Sequence, residues 1–164
     1  GAVTFEEVAS DFGEVFTAER VSRGLAIGDL DNDGRLDVVV NDLDGKAQVL
    51  RHELPVSGNW LMVRLEGKGR LTDAIGAIIT VHTKSDASST QPNAGAAAKT
   101  PTAPLVQKRM IRSGTGYLSQ DDMRQHFGLG AATTVDRVEV RWPDGTTTQR
   151  ERVKANQLLV IEQP

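Results

Sequence analysis

Cysteine is absent from the 164 residues of this chain. That excludes disulfide frameworks and cysteine-based metal or redox sites, but it does not exclude export, since an exported domain need not be cross-linked. Aromatic residues make up only 4% of the chain, too few for the stacking platforms that hold single-stranded nucleic acid. No apolar run approaches the roughly 18–20 residues of a membrane span, and no Asn-x-Ser/Thr acceptor occurs. Charge of one sign is also missing: 19 basic residues face 22 acidic ones for a formal net charge of −3, with no basic cluster. Nucleic acid is therefore not an expected partner. Helical periodicity is scarce, with only Glu6 to Phe12 and Gln120 to His126 offering a turn or two each.

Strand patterns fill the gap. Leu61, Val63 and Leu65 share one face of a strand with Met62 and Arg64 on the other. Ala77 to Val81 is a short run rich in β-branched residues. Val138, Val140 and Trp142 alternate with Arg137, Glu139 and Arg141, and Leu158 to Ile161 reads as a last buried strand. Turn signals fall between these runs at Asp44-Gly45, Gly67-Lys68-Gly69 and Pro143-Asp144-Gly145. The expected fold is all-β, an antiparallel sandwich or barrel-like domain built from hairpins. Ser85 to Pro104 stands apart as a small, polar, Pro/Ala/Thr-rich stretch without periodicity. It reads as a long exposed loop inserted between strands, with O-linked glycans as a second reading.

The most informative stretch is Asp29-Leu30-Asp31-Asn32-Asp33-Gly34-Arg35-Leu36-Asp37. Carboxylates at alternate positions converge on one point only if the backbone coils tightly around it. Gly34 permits the sharp turn, the Arg35 carbonyl can face inward, and Asp37 closes the shell. Hard oxygen ligands in that number suit Ca²⁺, whereas Mg²⁺ demands a tighter octahedron and more water. An EF-hand is excluded, because its twelfth position carries a bidentate Glu and helices flank it. Here the twelfth position is Val40 and the flanks, Leu25-Ala26-Ile27 and Val38-Val39-Val40, are of strand type. The loop is thus expected in a turn between two strands. The bland alternative is a solvated acidic turn, but four Asp around one Gly repel each other without a cation. Asn41-Asp42-Leu43-Asp44-Gly45 lacks the spacing and reads as a hairpin turn.

Catalytic patterns are wanting. His52, His82 and His126 are widely separated, and neither Ser113 nor Ser119 has a nucleophile-elbow context. Ser113-Gly114-Thr115-Gly116 has no following lysine or helix and so is not a phosphate loop. Asp121 and Asp122 are adjacent, so on a helical turn they point apart, and a cap is the simpler role. The chain is not expected to be an enzyme; a hydrolytic enzyme remains the weakest alternative. Trp60 and Trp142 sit in strand patterns, where core packing is the default and a sugar platform the rival. One exposed Trp beside polar residues would favour carbohydrate.

Residues 23 to about 50 resemble an FG-GAP/VCBS-type repeat, the calcium-carrying blade of integrin-like β-propellers. From about residue 58 to 162 the chain resembles an ASPIC/UnbV domain of the cartilage-acidic-protein-like, bacterial exported type. The motifs are Trp60-Leu61-Met62-Val63-Arg64-Leu65, Asp73-Ala74-Ile75-Gly76-Ala77, Gly116-Tyr117-Leu118-Ser119-Gln120, His126-Phe127-Gly128-Leu129-Gly130 and Val140-Arg141-Trp142-Pro143-Asp144-Gly145. The resemblance implies secretion to the exterior or cell surface, no established catalysis, and calcium held by Asp29, Asp31, Asp33, the Arg35 carbonyl and Asp37. It divides the chain into residues 1–55, carrying a single repeat, and residues 56–164, carrying the insertion at 85–104. One blade cannot close a ring, so the chain is expected to be a fragment of a larger propeller protein or to pack its lone blade on its own second domain and on other copies. The start at Gly1-Ala2-Val3 fits either a removed signal peptide or an expression remnant. Strand addition through Ala2 to Phe5 would give head-to-tail filaments. The expected function is a calcium-stabilised structural module for self-assembly or adhesion, with copies of itself, surface proteins or glycans as partners. A carbohydrate- or protein-binding module is the alternative.

Overall fold

The computed structural model describes residues 4–55, 58–83 and 105–164. The long-loop and glycan readings, and Ala2 and Val3 of the Ala2–Phe5 segment, fall outside these residues. The described chain is almost entirely β, in three sheets. β1 (Ser22–Gly28), β2 (Asp37–Asp42) and β3 (Gln48–Leu50) form an antiparallel meander. β4 (Asn59–Glu66) lies between β10 (Leu158–Glu162) and β7 (Gln125–Gly130). The third sheet runs β6 (Leu105–Met110), β5 (Ile78–Thr83), β8 (Thr134–Arg141), β9 (Thr147–Lys154). No closed barrel forms among the described residues.

The last two sheets share one core. Leu61, Val63 and Leu65 of β4, Phe127 and Leu129 of β7 and Ile161 of β10 join Ile79, Val81, Val138 and Val140 from β5 and β8. These are the inward positions of strands that alternate in sequence, as a half-buried pleat requires. Trp142, 1% exposed, closes one end of the core and donates its indole N–H to Thr148 Oγ1 at 2.8 Å. That burial removes it as a sugar platform.

Three sequence expectations are corrected. Gln120 to His126 is not helical: its end joins β7, and the residues before it are irregular. Asp121 and Asp122 therefore do not cap a helix. Glu6 to Phe12 is not one helix; a 3₁₀ turn spans Ala9–Phe12 and a single α-turn, α1, spans Glu14–Thr17. β10 pairs with β4 in parallel, not as part of a hairpin, and only Ile161 of it is buried while Leu158 and Val160 stay about half exposed.

The β1–β3 sheet contributes nothing to the shared core, and Leu25, Ile27 and Val49 remain substantially exposed on it. Its internal staple is Asp42, at the turn anticipated from Asn41 to Gly45. Asp42 accepts hydrogen bonds from Ser22 Oγ at 2.6 Å and Gln48 Nε2 at 2.7 Å, and pairs with Arg20 at 3.4 Å. The Ser22 hydroxyl foremost, then Gln48 and Arg20, hold its carboxyl below the ordinary value of 3.8 against the opposing effect of burial. A depressed carboxyl contributes stability above its unfolded pKa and loses it as pH falls through the folded one. Acid titration of Asp42→Asn is accordingly expected to show less loss of melting temperature below pH 3.8 than the parent chain. Equal acid sensitivity would remove Asp42 from the account.

Candidate metal centre and the groove beside it

The Asp29–Asp37 loop joins β1 to β2, between the two strands anticipated for it. Its coil is held by its own carboxylates. Asp29 accepts the N–H groups of Asp33 at 3.1 Å and Gly34 at 2.9 Å, while Asp37 accepts those of Leu30 at 3.0 Å and His52 at 2.9 Å. The His52 and Leu30 N–H bonds hold the Asp37 carboxyl below its ordinary value. Asn32 and Gly34 adopt left-handed φ values of 62° and 86°, tightening the turn.

Of the anticipated ligands, Asp29, Asp31 and Asp37 converge, each offering an oxygen within 4.8 Å of the others. Two oxygens on opposite sides of one Ca²⁺ lie no more than about 4.6–5.2 Å apart, twice the ordinary Ca–O distance, so this set fits calcium. Asp29 and Asp37 are 1% and 3% exposed. Asp33 is not in the converging group: its carboxylate pairs with the Arg35 guanidinium and accepts the Arg35 N–H. Asp31 pairs with Arg51.

Residues far along the chain clamp this loop, and sequence reasoning missed their role. Arg124 donates to the Asp29 carbonyl at 2.7 Å and to Asn32 Oδ1, while its Nε–H bonds Asp122. His126 lies 2.9 Å from the Gly34 carbonyl; a carbonyl only accepts, so His126 Nε2 carries the proton. Trp60 stacks on His126 and lies against Gly34, where an added Cβ would stand 2.0 Å from its indole nitrogen. Half-buried Trp60 is thus the wall of the loop, not a sugar platform. Ser119 Oγ and Asp121 Oδ1 accept the N–H groups of Leu25 and Ile27 along β1. The signals available were the quoted motifs containing Trp60, Ser119 and His126; nothing in the sequence marked Arg124.

Beside the clamp, the described residues form a groove of about 400 Å³ lined from β1, β6 and residues 112–126. His82 and His52 do not reach the loop with a side-chain hydrogen bond; His82 instead contacts Arg137 at 3.3 Å. No described helix is long and apolar enough to cross a membrane.

The family model described as ASPIC and UnbV matches residues 86–164. The chain is 29% identical over 154 residues to cartilage acidic protein 1 of Mus musculus, covering 92% of this chain and 21% of that protein. It is 30% identical over 146 residues to cartilage acidic protein 1 of Xenopus tropicalis, covering 86% of this chain and 20% of that protein. The chain thus spans about a fifth of the length of these curated relatives. The family match begins after the aspartate loop, whereas the similarity to the relatives covers most of the chain.

Proposed function

We propose that this chain is an extracellular structural module whose fold is stabilised by calcium bound in an FG-GAP-like loop. The observation that supports it best is the approach of Asp29, Asp31 and Asp37 oxygens within 4.8 Å, two of the three residues being buried. Such carboxylates repel one another, and only Asp31 of the three has a described ion-pair partner. A hard divalent cation offsets that repulsion. When bound, calcium supplies only charge and fixed geometry; Asp29, Asp31 and Asp37 would hold it, while Arg124 and His126 brace the backbone around it. The likeness to cartilage acidic protein 1 favours an extracellular setting.

Self-assembly or adhesion is the finer part of this reading. It is favoured by the β1–β3 sheet, which leaves Leu25, Ile27 and Val49 half uncovered, as a repeat unit does before a neighbour packs on it. The test is a melt in calcium and again in chelator, followed by electron microscopy of both samples. A metal present at a hundredfold its Kd adds about 2.7 kcal/mol, equivalent to roughly 5–10 °C for a chain of this size. Identical melts in both buffers would refute the calcium reading. Dispersed monomers in both would refute self-assembly.

A further inference from the structure

We propose that the groove between β1, β6 and residues 112–126 binds an acidic saccharide, one carrying carboxylate or sulfate groups on pyranose rings. The inference goes beyond the calcium reading and uses none of the loop's carboxylates.

The charge is the first argument. Lys108, Arg109, Arg112 and Arg124 line the groove against Asp121 and Asp122, a local excess of two positive charges on a chain whose net charge is −3. Arg124 is committed to Asp122, and Asp121 accepts the Ile27 N–H at 2.8 Å. Lys108, Arg109 and Arg112 have no ion-pair partner among the described residues. Arg109 is also set in place: its Nε–H reaches the His126 carbonyl at 3.4 Å and its guanidinium lies 5.8 Å from the Phe127 ring centroid. That leaves its terminal nitrogens to offer a planar fork to an oxyanion.

The apolar lining is the second argument. Ile27, Leu36 and Met110 line the same groove and are about two-fifths exposed. A free phosphate or sulfate has no use for such surface. A pyranose ring has an apolar face to lay on it and carries its anions at the ring edge. The volume of about 400 Å³ lies within the range of small-ligand sites, about 300–1,000 Å³. Nucleobases are poorly served, because the only ring in the lining is the His126 imidazole.

The test titrates the full chain, in calcium-containing buffer, with a sulfated uronate-containing hexasaccharide, a non-sulfated polyuronate hexamer, a neutral hexasaccharide, a hexaglutamate peptide and a short single-stranded DNA. The two acidic saccharides separate sulfate from carboxylate as the recognised anion. Either is expected to bind, with the neutral sugar, peptide and DNA at least tenfold weaker. The exposed double substitution Lys108→Gln with Arg112→Gln is expected to weaken saccharide binding about tenfold or more, as the loss of two charge-assisted contacts would. Arg150→Gln with Arg152→Gln on β9 should leave it unchanged. Melting curves check that each variant is folded. Absence of saccharide binding, equal binding of peptide or DNA, or full binding by the groove variant would each overturn the proposal.

Discussion

Asp29→Ala is expected to abolish the calcium response of the melting temperature and to weaken the fold even without metal. Both consequences come from one carboxylate in two uses. Its oxygens accept the N–H groups of Asp33 and Gly34 in a site 1% exposed to solvent. Removing the acceptor leaves two donors unpartnered, at about 1–3 kcal/mol each, so chemical denaturation should show a loss of roughly 2–5 kcal/mol in chelator. Asp31→Ala separates the two uses. Asp31 is more exposed and its only described partner is Arg51 on the surface, a class of pair worth little. It should therefore lose calcium response while keeping most of its metal-free stability. A full calcium shift in Asp29→Ala would remove this loop from the mechanism.

Gly34→Ala carries the second large effect, and it requires no metal at all. The residue has φ +86°, and a Cβ built there would stand 2.0 Å from Trp60 Nε1 and 2.1 Å from Trp60 Cε2. A left-handed non-glycine residue costs about 1–2 kcal/mol, and overpacking a fixed neighbour adds about 1–3 kcal/mol. Denaturant unfolding should thus register a loss of roughly 2–5 kcal/mol. The indole cannot step aside freely, because it stacks on His126, which in turn bonds the Gly34 carbonyl. Substituting Trp60 by Leu opens the space, so Gly34→Ala should cost less in that background. A cycle showing strict additivity would mean that backbone strain alone, and not the indole, accounts for the loss.

The strands of the shared core were legible because each carries its burial in its own alternation: Leu61-Val63-Leu65 and Val138-Val140-Trp142 announce an inward face whatever their partners. The Asp29–Asp37 turn was legible for the same reason, its geometry being written into nine consecutive residues. Residues 120–124 were not legible. Their conformation is set by bonds to β1 and to the loop, from Asp121 to Ile27 and from Arg124 to Asp29, and those partners lie more than ninety positions away. The parallel placement of β10 was hidden likewise, since an apolar run of four says nothing of the direction of its neighbour. Trp60 shows the limit in a single side chain. Its strand pattern was clear, yet its position as a lid on Gly34 depends on a loop outside its own segment. The groove is of the same kind, with cations from β6 meeting apolar residues from β1 and its loop.

The Arg124 and His126 clamps join positions 92 and 95 residues apart. Contacts across such separations are assembled only after the entropy of closing the intervening chain has been met, so they delay the ascent to the folding barrier and do not start it. A cation that bound only the braced loop would arrive after the topology is set. Its energy would then deepen the native basin and leave the barrier top, measured from the unfolded chain, nearly untouched. Calcium in this chain would act as a brake on departure: it would lengthen the lifetime of the assembled state far more than it hastened its formation.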